Sequence, residues 1–392
     1  MIRQNNYRRT KLACYLGFVT QAIVANFIPL LFLAFHREFG IPIAGLALIP
    51  AVFYVVQLLT DLLCAQFKDL DYRKSIIISE ITSALGLLGL AFLPSLLPHP
   101  MVGILLCVTV YAVGSGLIEV LCSPIIEACP FPNKEAMMSL LHSFYCWGAV
   151  GVILGSTLYF ALFGLENWRI LACIWALIPL YNIFNFATCP IDPIVPDARG
   201  MSMKQLLGDK GFWLFLILMV AAGASESSMA QWTSAFAEAS LGVDKSIGDL
   251  AGPCGFAFCM GLGRLWYGKK GQKIDLSSYM TWAGVLSFAA YLTASLSPVA
   301  WIAFVGCMFS GLAVGIMWPG SISLTSARMP AGGTALFALL ALAGDAGGTL
   351  GPSLVGIFTR NAGNNIQSGL LSASIFPLLL VVCLLCLRRQ KA

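Results

Sequence analysis

Long apolar windows, each long enough to cross a membrane, alternate with short polar segments along the whole chain. A helix needs roughly 20 apolar residues to span the hydrocarbon core, and windows of that size are bounded here by charged residues, Pro and Gly. They predict helices over residues 11–35, 42–66, 75–97, 101–128, 135–163, 168–188, 211–237, 247–268, 277–296, 299–325, 332–358 and 367–387. The pattern predicts an all-α membrane protein with 12 transmembrane helices.

Composition supports this prediction. Charged residues make up 10% of the 392 residues and apolar ones 58%, whereas about a quarter of a soluble domain is charged. The helices use most of the chain, so little is left for a soluble domain. The first window is too long for the apolar core of a signal peptide and precedes no small-residue cleavage site, so we expect it to remain as a span.

The distribution of Lys and Arg predicts the topology. If the N-terminus is inside, 19 of the 23 Lys and Arg residues fall in inner segments, as the positive-inside rule requires. We therefore expect both termini on the cytoplasmic side of a multi-pass protein, as in a bacterial cytoplasmic membrane. The net charge of +5 reflects this bias and gives no support for nucleic-acid binding.

Two stretches of the chain repeat each other. "SGLIEVLCSP" at 115–124 and "SGLAVGIMWPG" at 310–320 share Ser-Gly-Leu and a proline nine residues after the serine. The repeat predicts two six-helix bundles, at 1–190 and 211–392, joined by a cytoplasmic linker at 191–210. Parallel repeats of this kind are typical of transporters that alternate access to a site near the membrane midplane.

A glycine triplet recurs in the helix that follows each repeated stretch. Gly148, Gly151 and Gly155 have the spacing of Gly344, Gly347 and Gly351. Small residues four apart allow membrane helices to approach closely, although ordinary static packing explains any single glycine as well. We expect leucine at 151 or 347 to slow transport without preventing insertion.

Carboxylates inside the predicted spans are the main candidates for chemistry, because a charge in the hydrocarbon core costs at least about 2.5–3.5 kcal/mol on insertion scales. No Lys or Arg is expected deep in a span, so permanent counter-ions are not obvious, and burial disfavours the anionic form of a carboxyl group. The candidates are Asp61, Glu80, Glu119, Glu127, Glu226 and Asp345.

Glu119 has the most informative neighbours. Ser115, Glu119, Ser123 and Glu127 are four residues apart and so form one polar stripe on a helix whose other faces are apolar. Such a stripe is expected to line a wet cavity. Glu119 is therefore a candidate for proton coupling or substrate binding, with a structural hydrogen bond to a neighbouring helix as the alternative.

Neutral polar and aromatic residues extend the list of candidates. Amides and a histidine could bond hydroxyl groups, and indole rings could stack on a sugar ring, although packing also explains a lone aromatic side chain. The histidine could also share the coupling proton or simply bond a backbone carbonyl. The candidate substrate-binding residues are Asn26, Gln57, His142, Trp147, Gln231, Trp232 and Trp318.

The loop between the second and third predicted helices, "AQFKDLDYRK", resembles the inner-loop signature of the major facilitator superfamily. Asp69 and Arg73 stand at its acidic and basic positions, while Ala65 and Tyr72 replace glycines. "GLGRLWYGKKGQK" at 261–273 is similar to the second-half counterpart. The resemblance implies the major facilitator fold. We assign inner-loop gating roles to Asp61, Asp69, Arg73, Glu127 and Arg264.

A narrower resemblance begins at Glu119. "GLIEVLCSP", "LLHSFYCWGAVG" and "GASESSMAQW" are similar to patterns in helices 4, 5 and 7 of the fucose permease group of sugar–proton symporters, in which the helix-4 glutamate is linked to proton coupling. Asn26 departs from that group, because fucose permease has an aspartate before its Ile-Pro. The resemblance implies that helices 1, 4, 5, 7, 10 and 11 line the cavity.

The same resemblance implies positions and roles for the remaining acidic residues. Glu226 would lie on cavity-lining helix 7. Asp345, on helix 11, could line the cavity or take part in packing with Asp61. We therefore add Glu226 and Asp345 to Glu119 as proton-coupling candidates. Glu80 would lie on peripheral helix 3 and is expected to pair with the basic inner loop.

These observations favour a secondary transporter that couples protons to the symport of a small polar solute, with a sugar as the first choice. An exporter, or a carrier of a drug, amino acid or organic acid, would use the same architecture. No catalytic constellation and no nucleotide-binding loop is recognisable, so we expect neither enzymatic activity nor a cofactor. A nutrient sensor remains an alternative. The expected partners are the solute, protons and lipid, and the expected state is a monomer.

Overall fold

A computed structural model of the chain describes residues 2–46, 48–66, 70–192, 200–242, 245–363 and 365–389. Every regular element in these ranges is a helix. The α-helices of the first half are α1 Ile2–Asn26, α2 Phe32–Phe39, α3 Ile43–Leu46, α4 Leu48–Gln66, α5 Tyr72–Leu96, α6 Pro100–Ala128, α7 Lys134–Phe163 and α8 Trp168–Thr188. The all-α prediction is confirmed.

The second half continues in the same manner. Its α-helices are α9 Met203–Gly208, α10 Lys210–Leu241, α11 Lys245–Lys270, α12 Leu276–Leu296, α13 Ala300–Val314, α14 Met317–Arg328, α15 Gly333–Asn361, α16 Ile366–Ala373 and α17 Ile375–Arg389. Most predicted boundaries agree with these to within a few residues.

Ten helical segments in the described ranges are long and apolar enough to cross a membrane. The helices α11 and α12 lie where two further spans are predicted, but they are not among these ten. Many large apolar side chains are exposed, including Leu85, Phe92 and Trp282, as expected of surfaces that face lipid tails.

Aspartates begin several of the long helices. The Asp71 carboxylate accepts the Lys74 N–H at the start of α5, and this bond holds the pKa of Asp71 below its usual value. Asp209 and Asp275 cap α10 and α12 in the same way. A capping carboxylate satisfies amide groups that have no partner in the first helical turn. These caps fix the starts of three helices whose positions the apolar windows predict.

Prolines interrupt two predicted spans. The first is divided after Asn26, where a 3₁₀ turn at Ile28–Leu31 contains Pro29. The predicted 299–325 helix is divided between Val314 and Met317. Pro319 has no N–H to donate to the carbonyl of Gly315, four residues earlier, so the helical hydrogen-bond ladder cannot continue there. In the first repeat, Pro124 lies within the undivided α6.

The chain forms two compact units. The first contains Met1–Phe131, Trp147–Gly200 and Gly333–Ala338; the second contains Pro132–Cys146, Met201–Gly332 and Leu339–Ala392. Each predicted bundle, at 1–190 and 211–392, is one continuous segment, whereas each compact unit contains segments from both halves of the chain. The bundle boundaries remain a prediction.

The repeated Ser-Gly-Leu frames permit close helix packing in each unit. A Cβ atom at Gly116 would lie 2.9 Å from Thr60 Cβ on α4, and one at Gly311 would lie 2.5 Å from the Phe256 carbonyl oxygen on α11. Real Cβ atoms do not approach other atoms so closely. Glycine therefore has the same packing role in both copies of the repeat.

The glycine triplets are equivalent only in part. In the second unit, a Cβ at Gly347 would lie 2.1 Å from the Val220 carbonyl oxygen. Within the triplet of the first unit, a similarly short distance occurs only at Gly148, where a Cβ atom would lie 2.8 Å from Ala22 Cβ. Gly151 is exposed and has nothing within 4 Å of its Cβ position. The expectation of close packing at Gly151 is therefore wrong.

Candidate functional site

Glu119 lies half-buried on α6 in the first unit. Its Oε2 atom accepts hydrogen bonds from Gln21 Nε2 on α1 at 2.8 Å and from Gln57 Nε2 on α4 at 2.7 Å. The Gln21 and Gln57 side chains are themselves buried. The structure thus places the most prominent sequence candidate where three helices of one unit meet.

Ser115, one helical turn before Glu119, completes this arrangement. Its hydroxyl donates to Gln57 Oε1 at 2.9 Å, so Gln57 contacts α6 through both ends of its amide. At the equivalent positions of the repeat, Val314 replaces the glutamate, and Ser310 donates to the Cys307 carbonyl of its own helix. The polar network is confined to one copy of the repeat.

Gln21 is the residue that sequence reasoning missed. It lies inside the first apolar window, where a buried amide requires a hydrogen-bond partner. The need for a partner could have marked Gln21 as a candidate. The sequence does not identify that partner, Glu119, which lies 98 residues later.

Glu80 forms a second buried carboxylate network in the first unit. Its oxygens accept from Thr20 Oγ1 at 3.0 Å and from Asn182 Nδ2 at 2.8 Å. Asn182 also donates to the Ala13 carbonyl, and Glu80 is completely buried. Glu80 therefore bonds neutral groups on α1 and α8, which corrects the expected pairing with a basic loop.

Glu226, on α10 in the second unit, has a permanent counter-ion. Arg264 Nη2 on α11 donates to Glu226 Oε2 at 2.9 Å, and the side chains are 3% exposed for Arg264 and 18% for Glu226. Arg264 is therefore a buried basic residue inside α11. Arg264 lies inside α11 and not in an inner loop, although the two lysines at the end of α11 suggested a basic loop.

Three further groups in the second unit hold Arg264. Its Nε atom donates to the Gly315 carbonyl at 2.9 Å, and Nη1 donates to the His142 carbonyl at 3.0 Å and contacts Cys146 Sγ at 3.2 Å. The Gly315 carbonyl is the one that Pro319 leaves without a helical donor. Arg264 thus satisfies the backbone at the break between α13 and α14.

The environments of Glu119 and Glu226 differ in charge. Glu226 has a cationic partner in Arg264, and arginine does not lose its proton in proteins. The amides of Gln21 and Gln57 are neutral donors, and hydrogen bonds to them are weaker than charge-assisted ones. The hydrogen bonds described for Glu119 thus come from neutral amides, whereas Glu226 has a charged donor.

The remaining acidic candidates are less informative. Asp345 is half-buried on α15, Glu127 is half-buried near the end of α6, and Asp61 is fully buried on α4. A Cβ atom at Gly116 would lie 3.3 Å from Asp61 Oδ1, which places Asp61 beside α6. Asp69 lies outside the described residues.

Arg73 contacts the end of α8. Its Nη1 atom donates to the carbonyls of Phe186 and Ala187, and its Nη2 atom donates to that of Cys189 at 2.9 Å. A cation at a helix C-terminus bonds carbonyls that have no helical donor. Arg73 therefore connects α5 to α8, and its gating role stays a prediction.

The neutral candidates have different surroundings. Asn26 donates to the Ala22 carbonyl within α1 at 2.8 Å, and Trp232 Nε1 donates to the Pro352 carbonyl at 3.1 Å. Trp318 packs against Gly344, where a Cβ would lie 2.3 Å from the indole. Gln231 is exposed, His142 is buried and Trp147 is half-buried. Gln57 donates to Glu119, as described above.

No group of three or more His, Cys, Asp or Glu side chains in the described ranges is arranged to hold a metal ion. Each of the 13 cysteines is a free thiol.

Comparison with known families gives one match. A model of the Major Facilitator Superfamily matches residues 13–352, which is most of the chain. No curated protein sequence matches.

Solved structures share the fold at low sequence identity. The E. coli fucose:proton symporter FucP has a TM-score of 0.81 at 14% identity, covering 97% of this chain and 99% of its own. The proton:xylose symporter XylE has 0.77 at 12% identity, covering 97% and 95%. The human organic anion transporter MFSD10 has 0.74 at 16% identity, covering 96% and 99%. At these identities, the similarity shows the fold alone.

Proposed function

The chain belongs to the Major Facilitator Superfamily, and from this premise we propose that it couples proton movement to the symport of a small polar solute, a sugar, by alternating access. The observation that carries the proposal is the pair of neutral amides on Glu119 in a helix interior. A carboxylate held in this way is a typical proton site of transporters, in which intramembrane acids form proton pathways.

The coupling cycle depends on hydration of Glu119. When water reaches the site, the carboxylate is solvated and exchanges its proton; when the site closes, desolvation disfavours the anion. The empty carrier therefore changes conformation with Glu119 neutral, and bound solute helps to retain the proton. Glu226, which pairs with Arg264, and Asp345 are the next candidates for this role.

The sugar assignment rests on similarity in fold to two sugar–proton symporters and on the amide and indole groups in the helices. An exporter or a carrier of another small solute is the alternative, since the proteins similar in fold also include an organic anion transporter. A thermal-shift screen of the purified protein against sugars, amino acids and organic acids distinguishes them. Stabilisation by organic acids alone would contradict the sugar assignment.

Glu119→Gln is expected to separate exchange from accumulation. Glutamine mimics the neutral acid, so the variant should still bind solute and exchange it across the membrane, while losing pH-gradient-driven accumulation. Both are measured in proteoliposomes with labelled solute. Accumulation equal to that of the parent protein would show that Glu119 is not the coupling residue.

The proposed topology places both termini and the 191–210 linker in the cytoplasm. A cysteine introduced at Gly200 should react with a membrane-impermeant maleimide only in inside-out vesicles, and one at exposed His99 only in right-side-out vesicles. The parent protein measures background from exposed Cys386. Labelling of position 200 from outside would contradict the orientation.

A further inference from the structure

A cavity of about 570 Å³ lies within the second unit, at the level where its membrane helices begin and end. Four helical segments that are long and apolar enough to cross a membrane start or stop there. The segments of α7 and α10 start with Lys134 and Lys210, and those that contain α14 and α17 end with Arg328 and Arg389. The cavity therefore lies at the level of the membrane surface.

The wall of this cavity combines buried apolar side chains with charged ones. Phe215, Leu276 and Leu387 are at most 6% exposed. The charged side chains are exposed or half-buried, and they are Glu135, Asp275, Arg328 and Arg388. A ligand that matches this wall has a charged group and an apolar body.

The two arginines of the cavity have different partners. Arg388 Nη2 pairs with Asp275 at 3.7 Å, and Asp275 also accepts the Ser278 N–H at 2.8 Å as the cap of α12. Arg328 Nη2 donates to the Leu387 carbonyl at 3.3 Å, and no ion pair described within residues 245–363 and 365–389 includes Arg328. A guanidinium has five N–H groups, so Arg328 is suited to bind an anion.

Arg388 brings a second positive charge to the same place. It directly follows Leu387, whose carbonyl Arg328 bonds, and its Nε atom donates to the Ser277 hydroxyl at 3.1 Å. Guanidinium groups match the geometry of phosphate oxygens and bond them in pairs. Phosphate is also the anion that phospholipids present at the membrane surface.

Exposed apolar side chains continue from the cavity along α12 and α17. These helices pack closely, since a Cβ atom at Gly284 would lie 2.6 Å from Val381 Cγ2. Leu385 lies one helical turn before Arg388. The exposed side chains are Leu378, Val382 and Leu385 on α17 and Trp282, Val285 and Leu286 on α12. Surfaces of this kind face lipid tails.

We propose that this cavity binds the phosphate group of a membrane phospholipid, with Arg328 as its main ligand and the lipid tails along the exposed faces of α12 and α17. Basic pockets between membrane helices are a known type of head-group site. Glu135 provides an acceptor for donor groups of the head group beyond the phosphate. Because Glu119 belongs to the first unit, the inference does not depend on the proposed transport function.

The test measures phosphatidylglycerol binding to the delipidated full-length protein in an uncharged detergent, by titration with native mass spectrometry. Arg328→Gln should weaken binding by about tenfold or more, as expected when a hydrogen bond loses its charged partner. Glutamine keeps an N–H group for the Leu387 carbonyl, and an unchanged melting temperature without lipid checks that the fold is preserved. Parent affinity in this variant would overturn the proposal.

Arg389→Gln is the matched control for charge. Arg389 is exposed at the same end of α17 and is not among the described residues that line the cavity, so this variant should bind with the parent affinity. An equal loss in Arg328→Gln and Arg389→Gln would show general attraction to a basic surface and would overturn the site.

Ala327→Trp tests the cavity itself, because it adds volume to the wall without changing the charge. It should also weaken phosphatidylglycerol binding by about tenfold, the loss that accompanies about 1.4 kcal/mol. Parent affinity in Ala327→Trp would place the lipid outside the cavity and contradict the proposal.

Two partial ligands identify what the site recognises. Glycerol phosphate lacks the tails and diacylglycerol lacks the phosphate, so each should bind the parent protein at least about tenfold more weakly than phosphatidylglycerol does. Equal binding of glycerol phosphate would mean that the site takes a soluble phosphate ester and would overturn the lipid assignment. Equal binding of diacylglycerol would overturn the role of the phosphate.

Discussion

Arg264→Leu is expected to lower the free energy of unfolding by about 3–5 kcal/mol, the cost of removing one partner of a buried ion pair. The variant would leave the Glu226 carboxylate without its guanidinium. It would also leave the Gly315 carbonyl without a donor, because Pro319 supplies none. Denaturant titration in detergent micelles measures the change.

The double variant Arg264→Leu/Glu226→Leu separates the ion pair from the backbone contact. Replacing both members of a buried pair with apolar residues is often close to neutral, so most of the loss should be recovered. The remaining deficit reports the bond to Gly315. Recovery of nothing in the double variant would show that the pair itself contributes little.

Arg169→Leu is the matched control. Arg169 pairs with Glu38, but their side chains are 33% and 34% exposed. Exposed pairs contribute about 0–1 kcal/mol, so the loss should be several times smaller than for Arg264→Leu. If Arg169→Leu lost as much free energy of unfolding as Arg264→Leu, burial of the ion pair would not explain the effect of Arg264→Leu.

The positions of the helices could be predicted from the sequence because the relevant signals are local. Apolar windows mark the helices, and residues such as Asp71 and Asp209 cap them. The division after Val314 is local as well, since Pro319 is present in the sequence. Proline alone does not predict this division, because Pro124, at the equivalent position, leaves α6 undivided.

The candidate sites were predictable only in part, because hydrogen-bond partners are distant in sequence. Glu119 was identified by its charge in an apolar window. Gln21, 98 residues earlier, could not be paired with it from the sequence. Arg264 was misassigned for a related reason: nearby lysines at the end of α11 suggested a basic loop, whereas its partners come from α7, α10 and the turn after α13.

The glycine triplets give the clearest contrast between sequence repeat and packing, because Gly151 and Gly347 occupy equivalent positions in very different surroundings. Gly347→Leu should destabilise the protein by at least about 1–3 kcal/mol, the usual cost of overpacking, since its Cβ alone would lie 2.1 Å from a backbone oxygen of α10. A carbonyl within a helix cannot move aside as a flexible side chain can.

Gly151→Leu should behave as the parent protein in both stability and uptake, because its Cβ position has nothing within 4 Å. Melting temperature in detergent and uptake rate in proteoliposomes, normalised to the amount inserted, measure the two variants together. Gly347→Ala is the sharper test, since a single methyl group already meets the Val220 carbonyl. If Gly347→Ala and Gly151→Leu both matched the parent, α10 and α15 could not pack as closely as the structure has them.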